Sequence, residues 1–335
     1  MRLLVTGSAG HLGEALVRSL HGNGFDVVGL DLLASPFTSV QGSITDRAVV
    51  GRCMRGVDAV IHAAALHKPH LVTHPKQAFV DANVSGTLVL LEEAVAAGAK
   101  TFLYTSTTSA FGKSLHTAPG AAAGWITEHT PSIPKNMYGL TKLSGEGLCE
   151  IFHGRQGLSC LALRTSRFFP EGDDREAIRE GFEDANAKAN EFLYRRVDVE
   201  DIVSAHVCAL RRAASLPFGR YIVSATTPFK PEDAAELGVD APAVVARRVP
   251  GYVEEYRRRG WRMFPTLDRV YDNTRARVDL GWKPLHDFER VLARLAVGED
   301  PRSPLARAVG SKGYHDVTFD DGPFPVESVA PRRHP

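Results

Sequence analysis

Short apolar runs alternate with amphipathic segments through the first half of the chain. The apolar runs have the length of buried strands, and the segments between them repeat apolar residues at helical spacing. Parallel strands need crossover connections, which are usually helices, so the alternation predicts a doubly wound α/β fold with helices on both faces of a parallel sheet. The predicted strands are residues 3–6, 26–30, 59–62, 101–105 and 159–164, and the predicted helices are residues 13–21, 47–55, 86–97 and 138–153.

The pattern changes after Pro170, where polar helical segments and proline-rich stretches replace the regular alternation. Residues 175–192 predict one long polar helix. The change indicates a second, smaller C-terminal lobe that is assembled from separate pieces of the chain. The predicted division is a sheet domain over residues 1–170, to which 195–225 return, a smaller lobe over 171–194 and 226–312, and an extended tail over 313–335.

A glycine-rich turn follows the first predicted strand and opens the first helix, with Gly7, Gly10 and Gly13 spaced G-x-x-G-x-x-G. Such glycines allow a tight turn, a close approach of the backbone to a pyrophosphate, and close packing of helix on strand. The positive helix amino terminus, at His11 and Leu12, would attract the phosphates. The turn therefore predicts a dinucleotide site in a Rossmann-type fold.

Asp31 ends the second predicted strand. A carboxylate at this place can accept hydrogen bonds from both hydroxyls of the adenosine ribose, and it would repel a 2′-phosphate. No arginine follows it closely, so the sequence favours NAD over NADP.

Tyr138 and Lys142 lie four residues apart on a predicted helix and therefore share one face. A phenol is a poor base near neutral pH, and we expect the neighbouring ammonium to lower its pKa. Upstream, the predicted strand over residues 101–105 ends in a run of hydroxyls that includes Thr107, which could hydrogen-bond a reacting oxygen. The arrangement is typical of proton transfer coupled to hydride transfer.

Taken together these motifs resemble the extended short-chain dehydrogenases, the NAD-dependent epimerase/dehydratase family. The resemblance implies that Tyr138 is the acid/base, that Lys142 is its charge partner and a ligand of the nicotinamide ribose, and that Thr107 holds the reacting oxygen. It implies further that the smaller lobe binds the substrate. The other positions that it assigns to the cofactor are Ser43, Ile44, Ala63, Ala64, Ala65, Asn83, Thr105 and Thr165.

Five residues are expected on the substrate side. Thr108 and Ser109 continue the hydroxyl run, and His67 follows the Ala63–Ala65 turn. Arg167 could offer a guanidinium fork to a carboxylate or phosphate, or could form a structural ion pair with Glu171 or Asp173. Arg195 flanks Tyr194, which stands where nucleotide-sugar epimerases of the family carry an arginine.

Two departures from the family narrow the expected reaction. Family dehydratases carry Thr-Asp-Glu where this chain has Thr107, Thr108 and Ser109, so the acid and base for water elimination are missing. The expected diphosphate anchors are also replaced, by Arg167 and Tyr194. We therefore expect an NAD-dependent epimerase of a sugar or nucleotide sugar, or alternatively a net dehydrogenase of a sugar, uronate or other small carbonyl compound. A non-catalytic NAD-binding protein is a remote alternative.

Charge and cysteine content limit the partners. The formal net charge of +1 provides no global field for nucleic acid or an anionic membrane, so we expect a small-molecule substrate. Four cysteines without C-x-x-C spacing indicate the cytoplasm. The crowded histidines near His67 lack acidic or cysteine companions, so no metal is expected.

The family resemblance implies a homodimer formed by the helices that begin at Gly86 and Tyr138.

Overall fold

The architecture was obtained as a computed structural model, which describes residues 1–313. Within this part of the chain no helix is long and apolar enough to cross a membrane. The predicted tail, residues 313–335, lies outside the described residues except for its first position. The strands are β1 (Arg2–Thr6), β2 (Asp26–Asp31), β3 (Val40–Gln41), β4 (Ala59–His62), β5 (Thr101–Thr107), β6 (Gly124–Ile126), β7 (Ser159–Thr165), β8 (Gly219–Val223) and β9 (Arg269–Tyr271).

The predicted doubly wound fold is confirmed. Seven strands form a parallel sheet in the order β3-β2-β1-β4-β5-β7-β8, with helices on both faces. The strand order reverses at β1, so the loops after β1 and β4 diverge and leave a crevice at the carboxyl ends of the strands. The helices are α1 (His11–Gly22), α2 (Arg47–Cys53), α3 (Lys76–Val80), α4 (Gly86–Ala96), α5 (Met137–Gln156), α6 (Glu176–Gly181), α7 (Asp184–Glu191), α8 (Val199–Arg212), α9 (Ala234–Leu237), α10 (Ala241–Arg248), α11 (Tyr252–Arg259), α12 (Thr274–Leu280), α13 (Phe288–Ala296) and α14 (Pro304–Val309).

Separate apolar clusters cover the two faces of the sheet. On one face α1, α8 and α12 bury a cluster that includes Leu16, Ile202 and Trp282, and on the other α2, α4 and α5 bury one that includes Val50 and Leu91. Because β5 is buried over its whole length, its sequence carries no alternation of polar and apolar residues. The sheet therefore acts as a rigid support for the loops at its carboxyl edge.

The smaller lobe has its own apolar core and its own short sheet. Its core includes Leu193, Leu237, Val245 and Phe288. A two-stranded parallel sheet joins β6, from the middle of the chain, to β9 near its end. The sequence did not predict this pairing, because strands of three residues carry too little pattern to be recognised.

The prediction of one helix over residues 175–192 is wrong. The structure has two helices, α6 and α7, with a break at Phe182 and Glu183. Phe182 has an extended backbone, with φ −142° and ψ 141°, and its ring packs edge-on against Phe264 at 4.8 Å. The burial of this ring in the lobe overrides the helical periodicity.

A single turn of π-helix, residues 81–85, joins α3 to α4. π-Turns are uncommon and are frequent near functional sites. Here the turn carries Asn83, one of the residues assigned to the cofactor site by resemblance, into a position where only 1% of the residue is exposed.

Candidate active site

The glycine turn after β1 forms a close cradle. Gly7 has a positive φ of 76°, and a Cβ at this position would lie 2.8 Å from the backbone nitrogen of Ala64. A Cβ on Gly13 would lie 1.8 Å from the carbonyl oxygen of Gly7. Gly10 caps α1 without a side-chain hydrogen bond, so the N–H groups of the first helical turn remain available to an anion.

His11 and Leu12 contribute to this cradle in different ways. Leu12 is buried in the apolar cluster under the sheet, so only its backbone can face a ligand. The His11 imidazole is 8% exposed, contacts the rings of Phe168 and Phe169 at 5.7 and 6.0 Å, and has no hydrogen-bond partner among residues 1–313 at either nitrogen. A buried unpartnered imidazole at a helix amino terminus fits a ligand that brings its own acceptors, as a dinucleotide does.

Asp31 lies beside the glycine turn, as predicted from its place at the end of β2. Its carboxylate accepts hydrogen bonds from the backbone N–H groups of Ala9 and Leu33, both at 2.9 Å. These bonds fix the carboxylate against the turn, and a carboxylate has further acceptor capacity for the hydroxyls of a ribose. The residues present therefore fit the adenosine half of NAD.

Ser43 and Ile44 follow β3, next to this half of the site. The Ser43 hydroxyl is 2.7 Å from that of Thr45. The Ile44 side chain packs on Gly86, where an added Cβ would meet it at 2.7 Å. Their predicted contacts with adenine remain predictions.

The Ala63–Ala65 segment is held by hydrogen bonds on two sides. The N–H of Ala64 donates to the Thr6 hydroxyl at 3.2 Å. Asn83 donates from its amide to the carbonyl of Leu66 at 2.9 Å and to the Thr141 hydroxyl at 3.0 Å, and it accepts from the N–H of Leu66 at 2.9 Å. Asn83 therefore positions this segment, and any direct contact between its side chain and the cofactor stays a prediction.

Thr105 and Thr165 use their hydroxyls within the protein. Thr105 Oγ1 lies 2.9 Å from Nε2 of the buried His206, and Thr165 donates to the carbonyl of Ser106 at 3.1 Å. Both bonds fix the carboxyl ends of neighbouring strands, β5 and β7, at the crevice. These two hydrogen bonds neither support nor contradict the cofactor contacts that were predicted for Thr105 and Thr165.

Thr107, Tyr138 and Lys142 come together at the end of β5 and the start of α5. Asn136 caps α5 by accepting a hydrogen bond from the N–H of Gly139 at 2.9 Å, which fixes the first helical turn. The hydroxyl of Thr107 lies beside the phenol of Tyr138, where it favours the ionised phenol, and Lys142 lies one helical turn further, with 2% of the residue exposed. The structure thus brings together the three residues that the sequence singled out.

The sequence predicted that the pKa of Tyr138 is lowered. This prediction is wrong for the structure described. Burial raises the pKa of Tyr138 to about 12, and the neighbouring Thr107 hydroxyl opposes this only in part. Burial also lowers the pKa of Lys142 to about 7, so the lysine carries only part of a positive charge near neutral pH. Spacing in the sequence predicted correctly that the two residues share one face of a helix, but desolvation dominates the pKa of both.

The substrate-side histidine and hydroxyls line the same edge of the sheet. Thr108 and Ser109 lie on the short helical turn that follows β5, where the N–H of Ser109 donates to the Thr107 hydroxyl at 3.1 Å. The His67 ring stacks on Phe169 with 5.4 Å between centroids. Since Phe169 also contacts His11, the segment after β7 lies between the glycine turn and the His67 loop.

Arg167 and Arg195 lie close together, but both are engaged by carboxylates of the chain. Arg167 is 3.5 Å from Asp174 and 3.6 Å from Glu191, and Arg195 is 2.6 Å from Glu191 and pairs with Asp173. Burial would raise the pKa of Glu191, but the surrounding arginines outweigh it and hold that pKa below its ordinary value. Of the two alternatives for Arg167, the structure therefore has the ion pair. Its partners are Asp174 and Glu191, whereas the sequence suggested Glu171 or Asp173.

Sequence reasoning missed Asp174 and Glu191, two of the acidic members of this cluster, and Lys68. Lys68 pairs with Asp174 across 106 residues of sequence, and the Asp174 side chain is only 6% exposed. No local pattern marks such long-range pairs. Glu146 was also missed, although it continues the four-residue spacing of Tyr138 and Lys142 along α5.

One group within residues 1–313 has the spacing of metal ligands: Asp198, Glu200 and His286, whose ligand atoms lie within 4.8 Å of one another. Both oxygens of Asp198 already accept hydrogen bonds from Ser303, at 2.6 and 3.1 Å. The group therefore connects the start of α8 to the segment at Ser303. The absence of a metal remains a prediction.

The parallel sheet, the glycine cradle and the Thr107–Tyr138–Lys142 group define a Rossmann-type dinucleotide-dependent enzyme. A profile of the NAD-dependent epimerase/dehydratase family matches residues 3–223, and the chain belongs to that family. NAD is accordingly its cofactor.

Known proteins with similar sequences have different activities. The UDP-glucose 4-epimerase of Lactobacillus helveticus is 28% identical over 332 residues, covering 86% of this chain and 93% of that protein. A uronate dehydrogenase of Pseudomonas syringae is 28% identical over 185 residues, covering 53% of this chain and 63% of that protein. The fold also matches a short-chain dehydrogenase/reductase superfamily protein from Agrobacterium tumefaciens, solved with NAD, with a TM-score of 0.63, 24% identity and coverage of 89% of this chain and 96% of that one.

Proposed function

We propose that the protein is an NAD-dependent epimerase that oxidises a secondary hydroxyl of a sugar or nucleotide sugar to a transient ketone and then reduces it from the opposite face. The observation that carries the proposal is the group in which the Thr107 hydroxyl lies beside the Tyr138 phenol, with Lys142 one helical turn away. Similarity to a UDP-glucose 4-epimerase over 86% of the chain supports an epimerase outcome.

Each residue of the group has a defined task. Thr107 holds the reacting hydroxyl, Tyr138 takes its proton, and Lys142 in its ammonium form stabilises the phenolate. Bound NAD would supply the acceptor and donor of the hydride, and its positive charge would add to that of Lys142. Since burial raises the pKa of Tyr138 to about 12, the enzyme needs both charges to use the phenol near neutral pH.

A net dehydrogenase of a uronate or another small sugar derivative is the second candidate. The ion-pair cluster favours it, because Arg167 and Arg195 are held by carboxylates of the chain and do not present free guanidinium groups to a nucleotide diphosphate. The similarity to a uronate dehydrogenase over about half of the chain agrees with this alternative.

The test follows NADH absorbance and product epimers together, with a panel of sugars, uronates and nucleotide sugars. Epimer formation without net NADH establishes the first candidate, and stoichiometric NADH establishes the second. If no compound of the panel is epimerised or oxidised while NAD still binds, the catalytic proposal fails in favour of a non-catalytic NAD-binding protein.

Tyr138→Phe is the variant that tests the assigned proton donor and acceptor. We expect turnover to fall by about 10²–10⁴-fold, because the phenol hydroxyl is the group that takes up and releases the proton. NAD binding should be retained. Tyr252→Phe is the matched control, since Tyr252 lies in the smaller lobe and donates its hydroxyl to the carbonyl of Pro242. Equal turnover of the two variants would contradict the role of Tyr138.

A further inference from the structure

The ammonium group of Lys142 lies against an aromatic face. Its Nζ is 4.1 Å from the centroid of the Tyr104 ring, and Tyr104 is completely buried on β5. Throughout residues 1–313 no carboxylate lies within ion-pair distance of Lys142. An amine with 2% of its residue exposed needs some compensation to stay charged.

The nearest carboxylate on the same helix cannot give that compensation directly. Glu146, one turn beyond Lys142, accepts two hydrogen bonds from Arg164, at 2.9 and 2.7 Å, one from Ser106 at 2.5 Å and one from Arg220 at 2.8 Å. These bonds occupy both of its oxygens. Glu146 therefore acts on Lys142 only through its field, which raises the Lys142 pKa by less than burial lowers it.

The other titratable groups around Lys142 carry little charge near neutral pH. Burial raises the pKa of the Cys149 thiol well above its ordinary value and holds the pKa of His62 on β4 well below its own. Tyr138, with its raised pKa, is a neutral phenol until the reaction. The face of the Tyr104 ring, whose centroid is 4.1 Å from the Lys142 Nζ, therefore supplies negative potential that does not depend on the ionisation of any group.

We propose that Tyr104 is a positioning residue whose ring face keeps Lys142 protonated and in place beside Tyr138, an inference that rests on the proposed role of these two residues. The negative face of an aromatic ring attracts a cation, more strongly where water is excluded. Gly145 leaves the space for the ring, because a Cβ there would lie 2.2 Å from the Tyr104 hydroxyl oxygen. Two elements, β5 and α5, are therefore arranged around this contact.

The contact has a measurable consequence for the charge of Lys142. Burial lowers the pKa of Lys142 to about 7, with the fields of Cys149 and Glu146 opposing burial, and in the proposal the ring face opposes it as well. A desolvated cation–π contact is equivalent to about one pKa unit, so removal of the ring lowers the Lys142 pKa by about one. At pH 7 the charged fraction would then fall from about one half to about one tenth, and Tyr138 would lose most of its neighbouring charge.

The experiment is an NMR titration of the full-length protein labelled with ¹³C at the lysine Cε positions. The Lys142 resonance is assigned as the one absent from Lys142→Met. In Tyr104→Phe, which keeps the ring, we expect the wild-type midpoint, and in Tyr104→Leu a midpoint about one unit lower. An unchanged midpoint in Tyr104→Leu, or an equal decrease in Tyr104→Phe, overturns the proposal.

A second series covers the case in which Tyr104→Leu does not fold. Phenylalanines with increasing numbers of fluorine atoms are incorporated at position 104, which keeps the size of the ring while weakening its negative face. We expect the Lys142 midpoint to decrease stepwise along the series. A constant midpoint shows that the ring only fills space.

Turnover is also measured as a function of pH in the same variants at position 104. This measurement distinguishes the positioning role of Tyr104 from the proposed function of the enzyme. The alkaline limb of kcat/KM, where the ammonium is lost, should move to lower pH by the same amount as the NMR midpoint. If the alkaline limb of kcat/KM stays at the same pH while the Lys142 titration midpoint moves, the positioning role is overturned. A midpoint that moves in a protein whose wild type turns over no substrate leaves the contact established and refutes the catalytic proposal instead.

Discussion

At the scale of single residues, Asp31 is the group expected to distinguish NAD from NADP. Its carboxylate is held against the glycine turn by the N–H groups of Ala9 and Leu33. In Asp31→Asn we expect the affinity for NAD to fall about tenfold or more, since hydrogen bonds to a charged group contribute about 1.5–3 kcal/mol, and the affinity for NADP to fall less or to rise.

Binding titrations with both dinucleotides measure this difference. Asp26→Asn is the matched control, because Asp26 lies at the opposite end of β2 and forms an exposed ion pair with Arg2. An Asp31→Asn protein that binds NAD as tightly as the control would show that the carboxylate does not contact the ribose.

At the scale of elements, the junction of β1 and α1 depends on the absence of a side chain at Gly13. A Cβ there would lie 1.8 Å from the Gly7 oxygen, so Gly13→Ala must displace either the turn or the helix. We expect loss of NAD binding and a decrease of several kcal/mol in the free energy of unfolding, which is the range for strain in a tightly packed position.

Gly22→Ala is the control on the same helix, where an added Cβ meets nothing within 4 Å. Removing a helical glycine there should leave NAD binding intact and raise the free energy of unfolding by at most about 1 kcal/mol. Urea unfolding and NAD titration of the two variants give the comparison. Similar behaviour of both would refute the steric argument.

At the scale of the whole molecule, the expected homodimer makes a prediction about α5. Leu140 and Ile151, three helical turns apart on this helix, are 48% and 56% exposed. If α4 and α5 pair with those of a second copy, Leu140→Glu combined with Ile151→Glu should yield a monomer in sedimentation, because two carboxylates would be buried without partners.

Val278→Glu is the control for this prediction, since Val278 is 72% exposed on α12, away from those helices. It should sediment like the wild type. A double variant that also keeps the wild-type mass would place any dimer interface elsewhere.

Much of the fold could be predicted because its signals are local. The order of strands and helices follows from hydrophobic periodicity, and the glycine turn follows from conformations that only glycine adopts, as the φ of 76° at Gly7 shows. By contrast, the break between α6 and α7 at Phe182 and the pairing of β6 with β9 depend on contacts between distant parts of the chain. Periodicity carries no information about such contacts.

The sequence by itself determined that two members of the proposed catalytic group are neighbours, because four-residue spacing on a helix places Tyr138 and Lys142 on one face. Only the tertiary structure decided how these groups ionise and which side chains engage them. Burial overrides the expected lowering of the Tyr138 pKa, and carboxylates remote in sequence occupy Arg167. The physical reason is that spacing along a helix is a local property, whereas desolvation and ion pairing depend on everything that the fold packs around a group.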